Sequence, residues 1–132
     1  MTQSAVTIFV CVSCRRATAD GGFDCPGAAL AEALTDGLRD ADARDVTVTP
    51  VECLAVCTRP STVAIVGPDK WTYLIGDLER DAHIGEIVDA ALSYQRSENG
   101  IVPWKERPAS FRKGVVARIP PIGFSMPEQK TS

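Results

Sequence analysis

Residues 5–14 read AVTIFVCVSC, and residues 46–57 read VTVTPVECLAVC. In each stretch an apolar run rich in β-branched residues ends at a cysteine pair. Cys11 and Cys14 form a C-x-x-C, and Cys53 and Cys57 form a C-x-x-x-C. Short runs of Val, Ile and Thr predict strands. Ala5 to Val10 reads as a buried strand. Val46 to Val51 alternates Val with Thr or Pro and reads as half-buried, with Pro50 marking its end or an edge position. Between the two, Leu30, Leu34 and Leu38 recur on one helical face with Ala31 beside them. Asp24 or Cys25 stands at the N-cap of that helix, Pro26 falls at its first position, and Asp40 to Asp45 ends it. Strand, helix and strand in this order predict a right-handed βαβ unit with parallel strands. Parallel strands end at the same edge of a sheet. The two cysteine loops therefore meet there, about 5 Å apart if the strands are adjacent and about 10 Å if they are next-nearest.

Around this unit the chain continues simply. Arg15 to Asp24, with Gly21 and Gly22, reads as a loop. Thr62 to Val66 reads as a strand, Gly67-Pro68-Asp69-Lys70 as a turn, and Trp71 to Ile75 as the hairpin partner. Asp77 caps a second helix with Leu78, Ile84, Ile87, Val88, Ala91 and Leu92 as its apolar positions. The expected fold class is α/β: a mixed sheet with two helices in the order β-α-β-β-β-α. Residues 1–95 form this domain. Residues 96–132 form a C-terminal extension, loose from Pro120 onward. Ile101, Val102, Trp104, Phe111, Val115, Val116 and Ile119 give the extension enough apolar mass to pack.

The chain has 132 residues, 45% apolar and 23% charged, which suits one domain with one core. No apolar run approaches a membrane span. Met1 is followed by neither a basic segment nor a cleavage site, so the expected location is the cytoplasm. Charge is uneven: residues 1–92 hold 7 Lys and Arg against 14 Asp and Glu, and residues 93–132 hold 7 against 3. An acidic body repels phosphates, which argues against nucleic acid and suits a basic protein partner.

There are five cysteines: Cys11, Cys14, Cys25, Cys53 and Cys57. In a cytoplasmic chain such spacing reads as metal or redox chemistry rather than disulfides. Three chemistries compete. A [2Fe–2S] cluster takes four thiolates, and two loops giving two each supply them. A closed zinc site takes the same donors, though these pairs lack the Gly-rich hairpin knuckles usual for it. A dithiol oxidoreductase needs only Cys11 and Cys14, but Arg15, Arg16 and a loop follow them instead of the helix that would activate a thiolate. His83 is the only histidine and reads as a surface or cap residue, which excludes a centre needing two imidazoles. No P-loop, nucleophile elbow, catalytic carboxylate pair or dinucleotide fingerprint is present, so an electron carrier is expected rather than an enzyme. Arg15, Arg16 and Arg59 adjoin ligand positions and would stabilise a reduced, more negative cluster. Val12, Leu54 and Val56 would limit water access. Trp71 and Tyr73 alternate on a strand and read as core packing.

The segments IFVCVSC, FDCPG, ECLAVCTRPSTVAIV and KWTYLIGDL together resemble two groups. One is the thioredoxin-like [2Fe–2S] ferredoxins, including the Shethna-type proteins and the small subunit of NADH dehydrogenase. The other is the DUF1636 family of predicted metal-binding proteins, matched nearly end to end, including GIVPWKERPASFRKG and ARIPP. The first resemblance implies a thioredoxin-like ferredoxin fold, a [2Fe–2S] cofactor, electron transfer to a protein redox partner, and a homodimer as an option. It assigns Cys11, Cys53 and Cys57 as ligands with Cys25 as the fourth. The DUF1636 pattern points to Cys14 as the fourth. Cys14 is the preferred expectation because a C-x-x-C pair chelates one iron without distorting its loop, with Cys25 as the alternative. Members of DUF1636 often carry a cysteine where this chain has Ser61. The family's link with cobalt metabolism adds a rival function, binding or delivery of zinc or cobalt.

Overall fold

The computed structural model describes residues 5–12, 16–17, 20–24, 26–43, 45–52, 61–76, 78, 80–102, 104–121 and 123–124. The first strand, β1, is Val6–Cys11. Two short strands, β2 (Arg16–Ala17) and β3 (Phe23–Asp24), pair antiparallel inside the stretch expected as a loop. Two residues per strand leave no periodicity to read. Helix α1 is Pro26–Asp40, followed by β4 (Val46–Val51), β5 (Val63–Val66) and β6 (Thr72–Ile75). Helix α2 is Arg80–Arg96. A 3₁₀ turn (Trp104–Glu106), the short helix α3 (Ser110–Lys113) and strand β7 (Val115–Ile119) complete the order.

The main sheet has five strands in the order β4-β1-β5-β6-β7. β1 and β4 are adjacent and parallel, and every other pairing in the sheet is antiparallel. The sheet is mixed, as expected, and Pro50 lies on an edge strand, where its missing N–H breaks no ladder. Val6, Ile8 and Val10 alternate into the core with Val63, Ile65, Tyr73 and Ile75. Leu30, Leu34 and Leu38 of α1 and Ile87, Val88 and Ala91 of α2 join the same cluster. Burial of these large aliphatic side chains supplies the main driving force, roughly 1.5–3 kcal/mol for each one fully buried.

Helix α1 stops where its acidic end was expected, in a Schellman arrangement. Asp42 takes a left-handed φ of 52°. Its N–H donates to Arg39 O at 3.1 Å, and the Ala43 N–H donates to Leu38 O at 2.9 Å. The β5–β6 hairpin turns at Gly67–Lys70, closed by Lys70 N–H on Gly67 O at 3.2 Å, with Asp69 at φ 59°.

The segment after residue 95 joins the body. β7 pairs with β6, and Val102 and Phe111 are buried in the core. Arg107 donates to Val102 O at 2.9 Å and to Tyr73 Oη at 3.2 Å, with its guanidinium over the Tyr73 ring. Glu86 of α2 accepts from both the backbone N–H and the hydroxyl of Ser110 at 3.0 Å.

Candidate metal centre

β1 delivers Cys11 as its last residue, wholly buried. In the parallel ladder Cys11 is the register partner of Val51, the last residue of β4. The chain thus leaves β1 toward Cys14 and leaves β4 toward Cys53 from neighbouring positions at one sheet edge. The register follows from the matched six-residue strands: Val6 pairs with Val46, and each following residue pairs in turn.

The same edge is tied by backbone bonds. Cys11 N–H donates to Thr62 O and Val12 N–H to Val51 O, both at 3.0 Å. The Cys11 thiol donates to Glu52 O at 3.8 Å, a weak contact that aims the sulfur toward the start of the second cysteine loop. Ser61 opens the return into β5. It is buried with a left-handed φ of 64°, and its carbonyl accepts from Leu78 N–H at 3.3 Å. A non-glycine residue in that region is uncommon and is held by its surroundings. Helix α1 also starts here, with Gly27 packed against the Cys11 carbonyl.

Of the five expected ligands, Cys11 lies within the described residues. Cys14, Cys25, Cys53 and Cys57 lie outside them, as do Arg15, Arg59, Leu54, Val56 and Asp77. Among the described residues no three metal-capable side chains come together. The frame around the two loop entries fits a thiolate-held group. Both loop entries are adjacent, the described cysteine is buried, and Val12 beside it packs on the core. His83 sits half-buried on α2, within electrostatic reach of Glu86. Trp71 and Tyr73 lie in β6 or at its start: Tyr73 is core, while half-buried Trp71 stacks edge-on with Phe124 and under Arg118.

Sequence reasoning missed Gly27 and Thr62 at this edge. The Pro26-Gly27 start of α1 was a usable signal, since glycine early in a helix often marks close approach of another backbone. The family resemblance marked the Ser61 position, but nothing in the local sequence signalled its left-handed φ.

No helix among the described residues is long and apolar enough to cross a membrane. Among curated proteins none matches this chain. Two solved structures share its fold. One is a thioredoxin-like [2Fe–2S] ferredoxin from Aquifex aeolicus, 19% identical with a TM-score of 0.59, covering 92% of this chain and 99% of the ferredoxin. The other is a crystal structure at 1.5 Å resolution of the wild-type thioredoxin-like [2Fe–2S] ferredoxin from Aquifex aeolicus. It is 20% identical with a TM-score of 0.57, covering 86% of this chain and 98% of that one. The fold is therefore the thioredoxin-like ferredoxin fold. Residues 8–121 match DUF1636, described as a protein of unknown function, and the chain belongs to that family.

Proposed function

We propose that this protein is a one-electron carrier that holds a [2Fe–2S] cluster through thiolates from the loops after β1 and β4. The observation that carries the reading is the in-register parallel pairing of Cys11 with Val51, which starts both cysteine loops side by side. The fold shared with the Aquifex ferredoxins supports it. Cys11, Cys53 and Cys57 serve as three ligands, and Cys14 or Cys25 as the fourth. The packing of Gly27 on Cys11, two positions after Cys25, supports Cys25. A bound cluster would supply reversible one-electron chemistry. The protein's part is to present thiolates, exclude water with apolar neighbours such as Val12, and hold the sulfurs in place through the backbone bonds at the sheet edge.

Burial of the Cys11 thiol at a strand end speaks against the dithiol reading, because an attacking cysteine needs exposure and an activating charge or helix terminus. Partner recognition falls to the acidic body. Glu32, Asp36 and Asp40 line the exposed side of α1, which starts at the cysteine edge. A basic redox protein in the cytoplasm suits that surface.

The test is anaerobic reconstitution with iron and sulfide, followed by visible spectroscopy and EPR before and after dithionite. It uses the wild type and the Cys14→Ser and Cys25→Ser variants. A red-brown protein that bleaches and gains a paramagnetic signal supports the proposal, and the variant that loses the colour identifies the fourth ligand. A protein that stays colourless but takes up zinc or cobalt overturns it in favour of the metal-binding alternative.

A further inference from the structure

Gly27 is the second residue of α1 and is buried. A Cβ built on it would lie 1.8 Å from the Cys11 carbonyl oxygen, 2.9 Å from the Cys11 carbonyl carbon and 3.2 Å from Val12 Cα. All three are backbone atoms, so no rotamer change relieves the overlap. Either the end of β1 or the start of α1 must move. The other glycine of α1 differs: at Gly37 the nearest atom is Ile84 Cγ2, at 2.7 Å, the tip of a side chain. Gly27 does not take a left-handed φ, so space rather than conformation demands glycine. Leu30, one turn on and wholly buried, holds this end of the helix against the core.

We infer that Gly27 is a positioning residue for the cluster. Its missing side chain lets the first turn of α1 seat on the Cys11 peptide, which fixes the end of β1 that carries the Cys11 sulfur. The inference rests on the cluster reading above and deepens it. It makes α1, through one backbone contact, part of the ligand frame.

Gly27→Ala is compared with Gly37→Ala in reconstituted full-length protein. The readouts are iron per chain, the rate of iron release to a chelator, the visible circular dichroism and EPR line shape, and thermal unfolding of the metal-free chain. Gly27→Ala is expected to release iron about tenfold faster or more, as loss of an outer-shell support does, with altered circular dichroism. Gly37→Ala is expected to keep wild-type release and spectra even where its melting temperature falls. Equal release from both glycine variants, or wild-type behaviour of Gly27→Ala, overturns the inference. Should Gly27→Ala fail to fold, Leu30→Ala and Leu38→Ala replace the pair. They make comparable cavities at the near and far ends of α1. Faster release from Leu30→Ala alone supports the inference, and equal release from both overturns it. A wild type that takes up no cluster overturns the reading underneath, a result distinct from a loaded wild type with indifferent variants.

Discussion

The two ends of the sheet are closed by different means. At the end away from the cysteines, side chains do the work. Lys70 is buried, and its ammonium donates to Tyr94 O and Gln95 O, both at 2.8 Å, while lying over the Tyr94 ring. These carbonyls are near the C-terminus of α2, where a positive charge is favoured by the helix dipole. Burial pulls the Lys70 pKa below its ordinary value, against the carbonyls and ring that favour the charged form. Tyr94 in turn donates to Trp71 O at 2.6 Å and packs edge-on against Tyr73. At the cysteine end, the contacts around Cys11 are made mainly by backbone: Thr62 O, Val51 O, Glu52 O and the bare Cα of Gly27. One end locks the hairpin to the helix through side chains, and the other holds the end of β1 through backbone groups.

That contrast can be broken at either end. Cys11→Ser should abolish iron uptake in reconstitution while leaving the far-ultraviolet circular dichroism of the fold intact; an iron-replete variant would end the claim that this edge carries the site. Lys70→Met should cost about 2–3 kcal/mol in urea unfolding, because it removes two hydrogen bonds from a charged donor to carbonyls at the end of α2. Its iron content per chain should match wild type, and a parallel loss of iron would show that the two ends are coupled.

Tyr94→Phe should cost about 1 kcal/mol through its lost hydrogen bond. It also tests a pH dependence. Burial pushes the Tyr94 phenol up to about 12 from its ordinary value near 10, so the folded state holds the proton longer than the unfolded chain. The resulting stability is complete below pH 10 and is lost as pH rises toward 12. Melting curves across that window should fall steeply for wild type and less so for Tyr94→Phe.

The smallest effect is expected at Glu86, whose pKa is held down chiefly by the Ser110 backbone N–H. Its stabilisation is present above the unfolded carboxyl pKa and is lost as pH falls through the lower, folded value. Glu86→Gln should flatten the acid limb of the melting profile and cost well under 1 kcal/mol, since the group is partly exposed.

Much of the fold was legible in advance. The Val–Thr alternation of β4, the Leu30-Leu34-Leu38 stripe and the Gly67-Pro68-Asp69-Lys70 turn are local patterns set by residue period and turn stereochemistry, and each forms where expected. The paired cysteines after two strands pointed to one sheet edge for the same reason, since a βαβ unit has one favoured hand. Local pattern alone did not reveal that β1 and β4 are direct neighbours, or that β7 closes the far side of the sheet. Nor did it reveal that Lys70, read as a turn residue, is buried under α2. Those outcomes depend on which surfaces pack together once the chain collapses. Sequence determined the β-α-β-β-β-α elements, the cysteine spacing and the family, but not β2, β3 or β7. Tertiary structure decided that Gly27 must be bare, because the Cys11 carbonyl that would meet its Cβ lies far away in sequence, where no local window contains it.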